Sequence, residues 1–286
     1  MSKPKIAYQG EPGANSHIAC LEARPDCEPL PCRTFEDAFQ AVKSGEAELA
    51  MIAIENTTAG RVADVHHLLP DSGLWIVGEH FLRIEFQLLV LPGAKLSDIK
   101  TVYSHVHALG QCRKVIRKHK LQPIVAVDTA GAAREIAELK DKSRAAIATK
   151  LAGEIYGLKI AERNIEDEDH NTTRFVILSK KRQDAKANNG PVMTSFVFRV
   201  RNVPAALYKA MGGFATNGVN MTKLESYQIE GQFSATQFYA DVEGHPDDRP
   251  VQLALEELAF FTSHMKVLGV YPASPYRAKI ARRTKS

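Results

Sequence analysis

The sequence predicts an α/β domain followed by a smaller βαββαβ unit, and three observations support that reading. From residue 5 to residue 156, short apolar runs alternate with amphipathic segments of helical period, the pattern of a largely parallel sheet covered by helices. Residues 180–191, KKRQDAKANNGP, contain no apolar side chain larger than alanine and close on Asn-Asn-Gly-Pro. Such a composition joins compact units. Beyond it, between residues 194 and 271, strand- and helix-like segments follow in the order strand, helix, strand, strand, helix, strand, which is the ferredoxin-like arrangement.

Residues 5–9 read as a strand, 13–23 as a helix, and 34–44 as a helix with Thr34 at its N-cap. Strands are expected at 49–54 and 83–91. A strand at 101–103, a helix at 108–119, a strand at 122–127, a helix at 129–139, a strand at 145–148 and a helix at 150–156 complete the alternation. After the polar break come a strand at 194–201, a helix at 205–216, strands at 220–228 and 232–243, a helix at 248–263 and a strand at 265–271.

Composition narrows the functional classes. A chain of 286 residues with 44% hydrophobic composition buries a substantial core and favours about two domains. No stretch approaches the roughly 18 to 20 apolar residues of a membrane span, and the start MSKPK carries no signal-peptide h-region. A cytoplasmic protein is expected, without a membrane role. Cys20, Cys27, Cys32 and Cys112 form no C-x-x-C pair and read as reduced, packed thiols. His66-His67 and the pair His105, His107 lack the spacing of a metal site, so no metal is expected. The net charge of +4 comes largely from residues 180–182 and a basic tail, with no aromatic-basic interleaving of the nucleic-acid kind.

In open α/β sheets, ligands gather at the carboxyl ends of the strands. The loops 10–16, 55–61, 104–111 and 128–132 qualify. Gly10-Glu11-Pro12-Gly13 offers backbone N–H groups and a helix start to an anion, or else is a plain turn. It is not G-x-G-x-x-G, so no dinucleotide is expected. Glu55 and Asn56 stand at the end of an apolar strand, where Glu55 either organises a site or pairs with Arg61. Ser104 and Gln111 sit at the next strand-to-helix junction, where Ser104 meets a ligand or caps a helix. There is no G-x-S-x-G elbow, so Ser104 is not a nucleophile. Asn171-Thr172-Thr173-Arg174-Phe175 brings an amide, hydroxyls and a guanidinium to the mouth of a strand, a set suited to a small carboxylate. Side chains alternate along a regular strand, so Thr173 and Arg174 reach one ligand only where the backbone is irregular.

Taken together, these loops resemble prephenate dehydratase from Ile6 to about Pro272. The matching pieces are Ile54-Glu55-Asn56 with Gly60 and Val62, Ser104-His105 with Gln111-Cys112, and Asn171-x-Thr173-Arg174-Phe175. Leu207-Tyr208 and the run from Gly218 to Ser226 resemble the regulatory ACT domain of that family. The resemblance implies a two-lobed α/β catalytic domain like the type II periplasmic-binding-protein fold over residues 1–180, its lobes discontinuous, then a linker at 181–192. It implies an ACT domain at 193–275 and a basic tail at 276–286. Prephenate would lose carbon dioxide and water to give phenylpyruvate, with no cofactor. Thr173, Glu55 and Asn56 are the implied catalytic residues. Arg174 would hold the retained carboxylate, and Ser104, Gln111, Asn171, Thr129, Ser16 and Phe175 would complete the substrate site. Ser16 takes the place of a hydroxyl that the family carries directly after its second glycine. Allosteric phenylalanine would bind near Leu207, Gly218, Asn220, Met221, Glu225 and Ser226, between paired ACT domains of a homodimer or homotetramer. The usual Glu-Ser-Arg-Pro is here Glu225-Ser226-Tyr227-Gln228. Arogenate dehydration and non-catalytic sensing of a small acid are the alternatives.

Overall fold

The computed structural model describes residues 3–201, 203–228 and 237–283, with side chains described as far as residue 279. The chain divides into two compact units, Met1–Val62 with Phe81–Phe175, and Ala63–His80 with Val176–Ser286.

The first unit opens with β1 (Lys5–Gln9), α1 (Asn15–Ala23), β2 (Glu28–Cys32), α2 (Phe35–Ser44) and β3 (Leu49–Asn56), in which β1 pairs in parallel with both β2 and β3. The apolar run of β3 is buried because parallel strands are covered on both faces. Thr34 caps α2 as the sequence predicts, its hydroxyl accepting from the Asp37 N–H. A short β4 (Gly60–Arg61) folds back on the end of β3. The chain then forms α3 (Ala63–Leu68) and β5 (Trp75–Arg83).

A second sheet follows, built from β6 (Gln87–Val90), β7 (Thr101–Ser104), α4 (Val106–Gln111), α5 (Arg113–Lys118), β8 (Gln122–Val125), α6 (Thr129–Leu139), β9 (Arg144–Ala148), α7 (Lys150–Ile155) and β10 (Lys159–Glu162). Its order is β10-β6-β9-β7-β8. The chain returns through β11 (Thr172–Ser179) to the first sheet, whose order is β2-β1-β3-β11-β5. The two sheets are the two lobes that the sequence implies. They meet where Gly13, at φ +92°, lies against α7: a Cβ there would stand 2.6 Å from the Ala152 Cα. The Thr149 hydroxyl donates to the Gly13 carbonyl, and the Tyr156 hydroxyl donates to the Pro12 carbonyl at 3.0 Å.

The second unit contains β12 (Val192–Val200), α8 (Ala206–Thr216), β13 (Met221–Tyr227), β14 (Gln237–Glu243), α9 (Arg249–Phe261), β15 (Thr262–Pro272) and α10 (Pro275–Arg283). The antiparallel order β13-β14-β12-β15 is that of a ferredoxin-like fold. Phe196, Phe198, Phe214 and Phe238 form the heart of its helix-facing core, each burial contributing about 1.5–3 kcal/mol. On the other sheet face Ser195, Tyr239, Asp241 and Tyr271 share a buried hydroxyl–carboxylate network, with the His66 ring edge-on to Tyr239.

The structure corrects the sequence reading at several points. The strand expected at 83–91 is two strands, because residues 84–86 leave one sheet for the other. The helix expected at 108–119 breaks at Cys112, since the Asp167 carboxylate accepts the Arg113 and Lys114 N–H groups and so starts α5 afresh. β2, α3, β5 and β10 were not foreseen, β2 because two prolines mask it. Residues 63–80 group with the C-terminal residues: β15 crosses β5 so closely that a Cβ on Gly269 would meet the Ile76 carbonyl. The supposed linker is tied down, Ala185 N–H donating to Val270 and Arg182 stacking over Trp75. The basic tail begins as α10, anchored by Arg277 on the buried Glu79 carboxylate (2.6 and 2.8 Å). Residues 232–236 of one expected strand and 284–286 of the tail lie outside the described residues.

Candidate active site

β3 and β11 are neighbours in the first sheet, and their alternation sorts the motif residues onto two faces. β11 is already regular from Thr172, so Thr173 and Arg174 point apart. Thr173 faces a cavity of about 320 Å³ together with Asn56, whereas Arg174, 3% exposed, turns away and pairs with Glu55 at 2.9 Å. The sequence reading expects Arg174 to grip the substrate; in the structure neither it nor Glu55 is among the described cavity-lining residues. The pair instead braces the two strands from behind.

Asn56 is the organiser of the site. Its Oδ1 accepts from the Thr58 and Ala59 N–H groups (2.9 and 2.8 Å). This fixes the amide orientation, and Nδ2 donates to Asn171 Oδ1 (2.8 Å) and Thr173 Oγ1 (2.9 Å). Asn171 Nδ2 in turn donates to Gln111 Oε1 (2.7 Å), and Gln111 Nε2 donates to the Thr58 hydroxyl. The ring of contacts Thr173–Asn56–Asn171–Gln111–Thr58 draws together residues 115 and 60 apart in sequence. One consequence bears on chemistry. Since the Thr173 oxygen accepts from Asn56, its hydroxyl hydrogen is left to donate into the cavity.

The rest of the cavity comes from the predicted loops. Gly10, Ala14, Asn15 and Ser16 line it from the first; His105, His107 and Gln111 from the third; Asp128 and Thr129 from the fourth; Ala53, Val62, Ile84 and Phe86 supply an apolar wall. Among the described lining residues there is no Lys or Arg, and Asp128 is the only carboxylate. Backbone N–H groups at helix starts can supply positive potential. At the start of α1, Ala14 provides no capping side chain, and the uncapped first turn lies where Ala14, Asn15 and Ser16 line the cavity. At α6 the Asp128 carboxylate already accepts from the Gly131 N–H at 2.7 Å.

Two predicted substrate contacts lie elsewhere. Ser104 is fully buried and donates to the Ile147 carbonyl at 2.6 Å, binding β7 to β9 instead of a ligand. Phe175 is 1% exposed and belongs to the core. Conversely, the sequence reading did not name His105 or His107 as substrate contacts, and took Ile84 and Phe86 as part of an ordinary strand. The signal for the apolar pair was the Glu85 between them, which breaks the run. A larger cavity, of about 620 Å³, adjoins this one across Gln9, Gly10, Val127 and Asp128.

In the second unit, Gly218 (φ +66°) makes the turn from α8 into β13, an edge strand of the sheet. Asn220 Nδ2 donates to Glu243 (3.0 Å), and Glu225 pairs with Lys223 (3.0 Å). Met221 opens β13, Ser226 lies near its end, and Leu207 packs on the helix-facing core.

Fold and site together define a two-lobed α/β enzyme whose polar cleft has no Lys or Arg among its described lining residues, with a ferredoxin-like unit beside it in the chain. The chain belongs to the prephenate dehydratase family, whose model matches residues 6–183, and it is thus a carbon–oxygen lyase. It is 53% identical over 274 residues to the bifunctional N-acyl-homoserine lactone acylase/prephenate dehydratase of Komagataeibacter europaeus, covering 96% of this chain and 98% of that protein. It is 38% identical to an arogenate dehydratase/prephenate dehydratase of Arabidopsis thaliana, over 95% of this chain and 72% of the relative. The crystal structure of an Arthrobacter aurescens prephenate dehydratase in complex with L-Phe superposes with a TM-score of 0.86 at 27% identity, covering 99% of this chain and 100% of that one.

Proposed function

We propose that this chain converts prephenate to phenylpyruvate, the dehydratase step of L-phenylalanine biosynthesis, and does so in the cytoplasm without a cofactor. The prephenate dianion takes up one proton and yields the phenylpyruvate monoanion, carbon dioxide and water. Breaking the bond to the ring carboxylate releases the electron pair that aromatises the ring as the bond to the ring hydroxyl breaks. The observation that carries this reading is the Thr173 hydroxyl, whose oxygen accepts from the Asn56 amide and which lines the cavity with its own hydrogen able to turn toward a ligand. It donates to the departing oxygen, where negative charge develops in the transition state. Asn56 is the orienting residue. The retained pyruvyl carboxylate lies at the start of α1 with Ser16, and Thr129, Gln111 and Asn171 frame the ring. The ring carboxylate faces Ile84 and Phe86, a wall that solvates the charged group poorly and its neutral product well. Glu55 and Arg174 act through the strands they brace.

The test is phenylpyruvate formation from prephenate, followed by absorbance in alkali. Thr173→Val is expected to lower kcat about 10²- to 10³-fold with KM within about threefold. An unaltered kcat would remove Thr173 from the reaction. Absence of turnover in the wild type would leave the small-acid sensor as the better reading.

Arogenate differs only by an amino group, and plant relatives carry that name. The relative kcat/KM for the two substrates decides preference. The L-Phe complex of the Arthrobacter protein supports feedback binding of phenylalanine at the Gly218–Met221 turn and Glu225-Ser226, where β13 edges of two chains would meet in a homo-oligomer. Chromatography with light scattering, with and without phenylalanine, tests both. The adjoining cavity, walled in part by Pro12, Pro31, Ala126 and Val127, offers room for an acyl chain and favours a second activity like that named for the Komagataeibacter relative. Release of homoserine lactone from N-acyl-homoserine lactones would establish it.

A further inference from the structure

His105 occupies the N-cap of α4, where its Nδ1 accepts the His107 N–H at 3.4 Å. A ring nitrogen that accepts carries no proton, so the neutral ring holds its hydrogen on Nε2. Burial pushes the His105 pKa down and the His107 ring pushes the same way, outweighing the Asp128 carboxylate. Near neutral pH, His105 is therefore a neutral ring with one N–H to give, and the His107 contact favours Nε2 as its site. It also lines the cavity with Thr173, Asn56 and Gln111. The Asn56 amide donates to Asn171 and Thr173, and one N–H of Gln111 goes to Thr58, so the His105 N–H adds a donor to those this wall can offer a ligand oxygen.

We propose that His105 is a substrate-binding residue whose Nε2–H donates to a carboxylate oxygen of the small dicarboxylate held in the cavity. The identity of that substrate rests on the dehydratase reading. The carboxylate concerned is the one retained through the reaction, so the bond is as strong in the ground state as in the transition state. Its loss raises KM and leaves kcat.

His105→Asn separates this role from helix capping. Asparagine caps a helix well, so the variant keeps α4 while its shorter side chain withdraws the donor from the cavity. The expected result is a thermal midpoint within about 2 °C of wild type and a KM for prephenate raised about 10- to 100-fold, the range for a hydrogen bond to a charged group. His105→Gln, with a longer reach, recovers part of the loss. An unchanged KM in His105→Asn overturns the proposal, and so does a defect confined to kcat. If wild-type enzyme produced no phenylpyruvate, the dehydratase reading would fall on its own. Calorimetric titration of wild type and His105→Asn with prephenate would still decide whether the ring touches the acid.

Discussion

Arg174 offers the sharpest test of how the two faces of β11 divide their work. Its guanidinium is 3% exposed, lies 2.9 Å from Glu55 and stands 6.0 Å from the Phe81 ring centroid. Arg174→Met keeps most of the aliphatic volume and removes the charge. Breaking a fully buried ion pair costs about 3–5 kcal/mol, but the Glu55 side chain is 29% exposed and regains water, which lowers the expected cost to about 1–3 kcal/mol. With about 2–4 °C per kcal/mol for chains of this class, the midpoint should fall by roughly 2–12 °C. The neighbouring Thr173 loses its brace, so kcat should fall while KM for prephenate stays within about threefold. Arg174→Lys should recover stability only in part, because a lysine ammonium does not reproduce the planar fork of arginine. Differential scanning calorimetry and steady-state kinetics on the same preparations measure both effects. An unchanged midpoint with KM raised about a hundredfold, or roughly 2.8 kcal/mol of lost binding, would put the guanidinium on the substrate and refute the two-face argument.

Ser104→Ala should cost about 1–2 kcal/mol of stability through the lost bond to Ile147 while changing kcat/KM by less than about threefold; a large kinetic defect would return Ser104 to the substrate site. Glu79→Ala deprives Arg277, 17% exposed, and the Ser274 N–H of a shared acceptor, and should lower stability by about 3–5 kcal/mol in denaturant titrations; a neutral result would mean that α10 contributes no anchoring. Burial holds the pKa values of His17 and His105 below the ordinary value. Below about pH 6.5 the unfolded chain therefore binds more protons at these two positions than the folded one. Their contribution should destabilise the fold as pH drops through that value, and calorimetry of His17→Gln and His105→Asn should show a flatter pH dependence than wild type.

What the sequence made legible follows from the range of the forces involved. The α/β alternation, the βαββαβ order and the Thr34 cap rest on local patterns that one strand or helix settles for itself, and they could be read without a partner. Long-range events could not: the break at Cys112 needs Asp167, and the division of residues 83–91 needs the chain to pass from the first sheet to the second. The site divides along the same line. The loops that would line it were readable, because parallel sheets send their carboxyl ends to one crevice. Which side chains face that crevice depended on the residue at which β11 becomes regular. With the strand regular from Thr172, the period of two gives the cavity Thr173 and the sheet interior Arg174. That one register assignment leaves the motif's arginine outside the described lining of the cavity. On the proposed reading, the dianion would be held by backbone N–H groups and neutral donors, which bind anions through fixed dipoles instead of mobile charge. A cleft of that kind suits a reaction that discards one carboxylate, since a guanidinium clamped on the departing group would stabilise the charge that has to be lost.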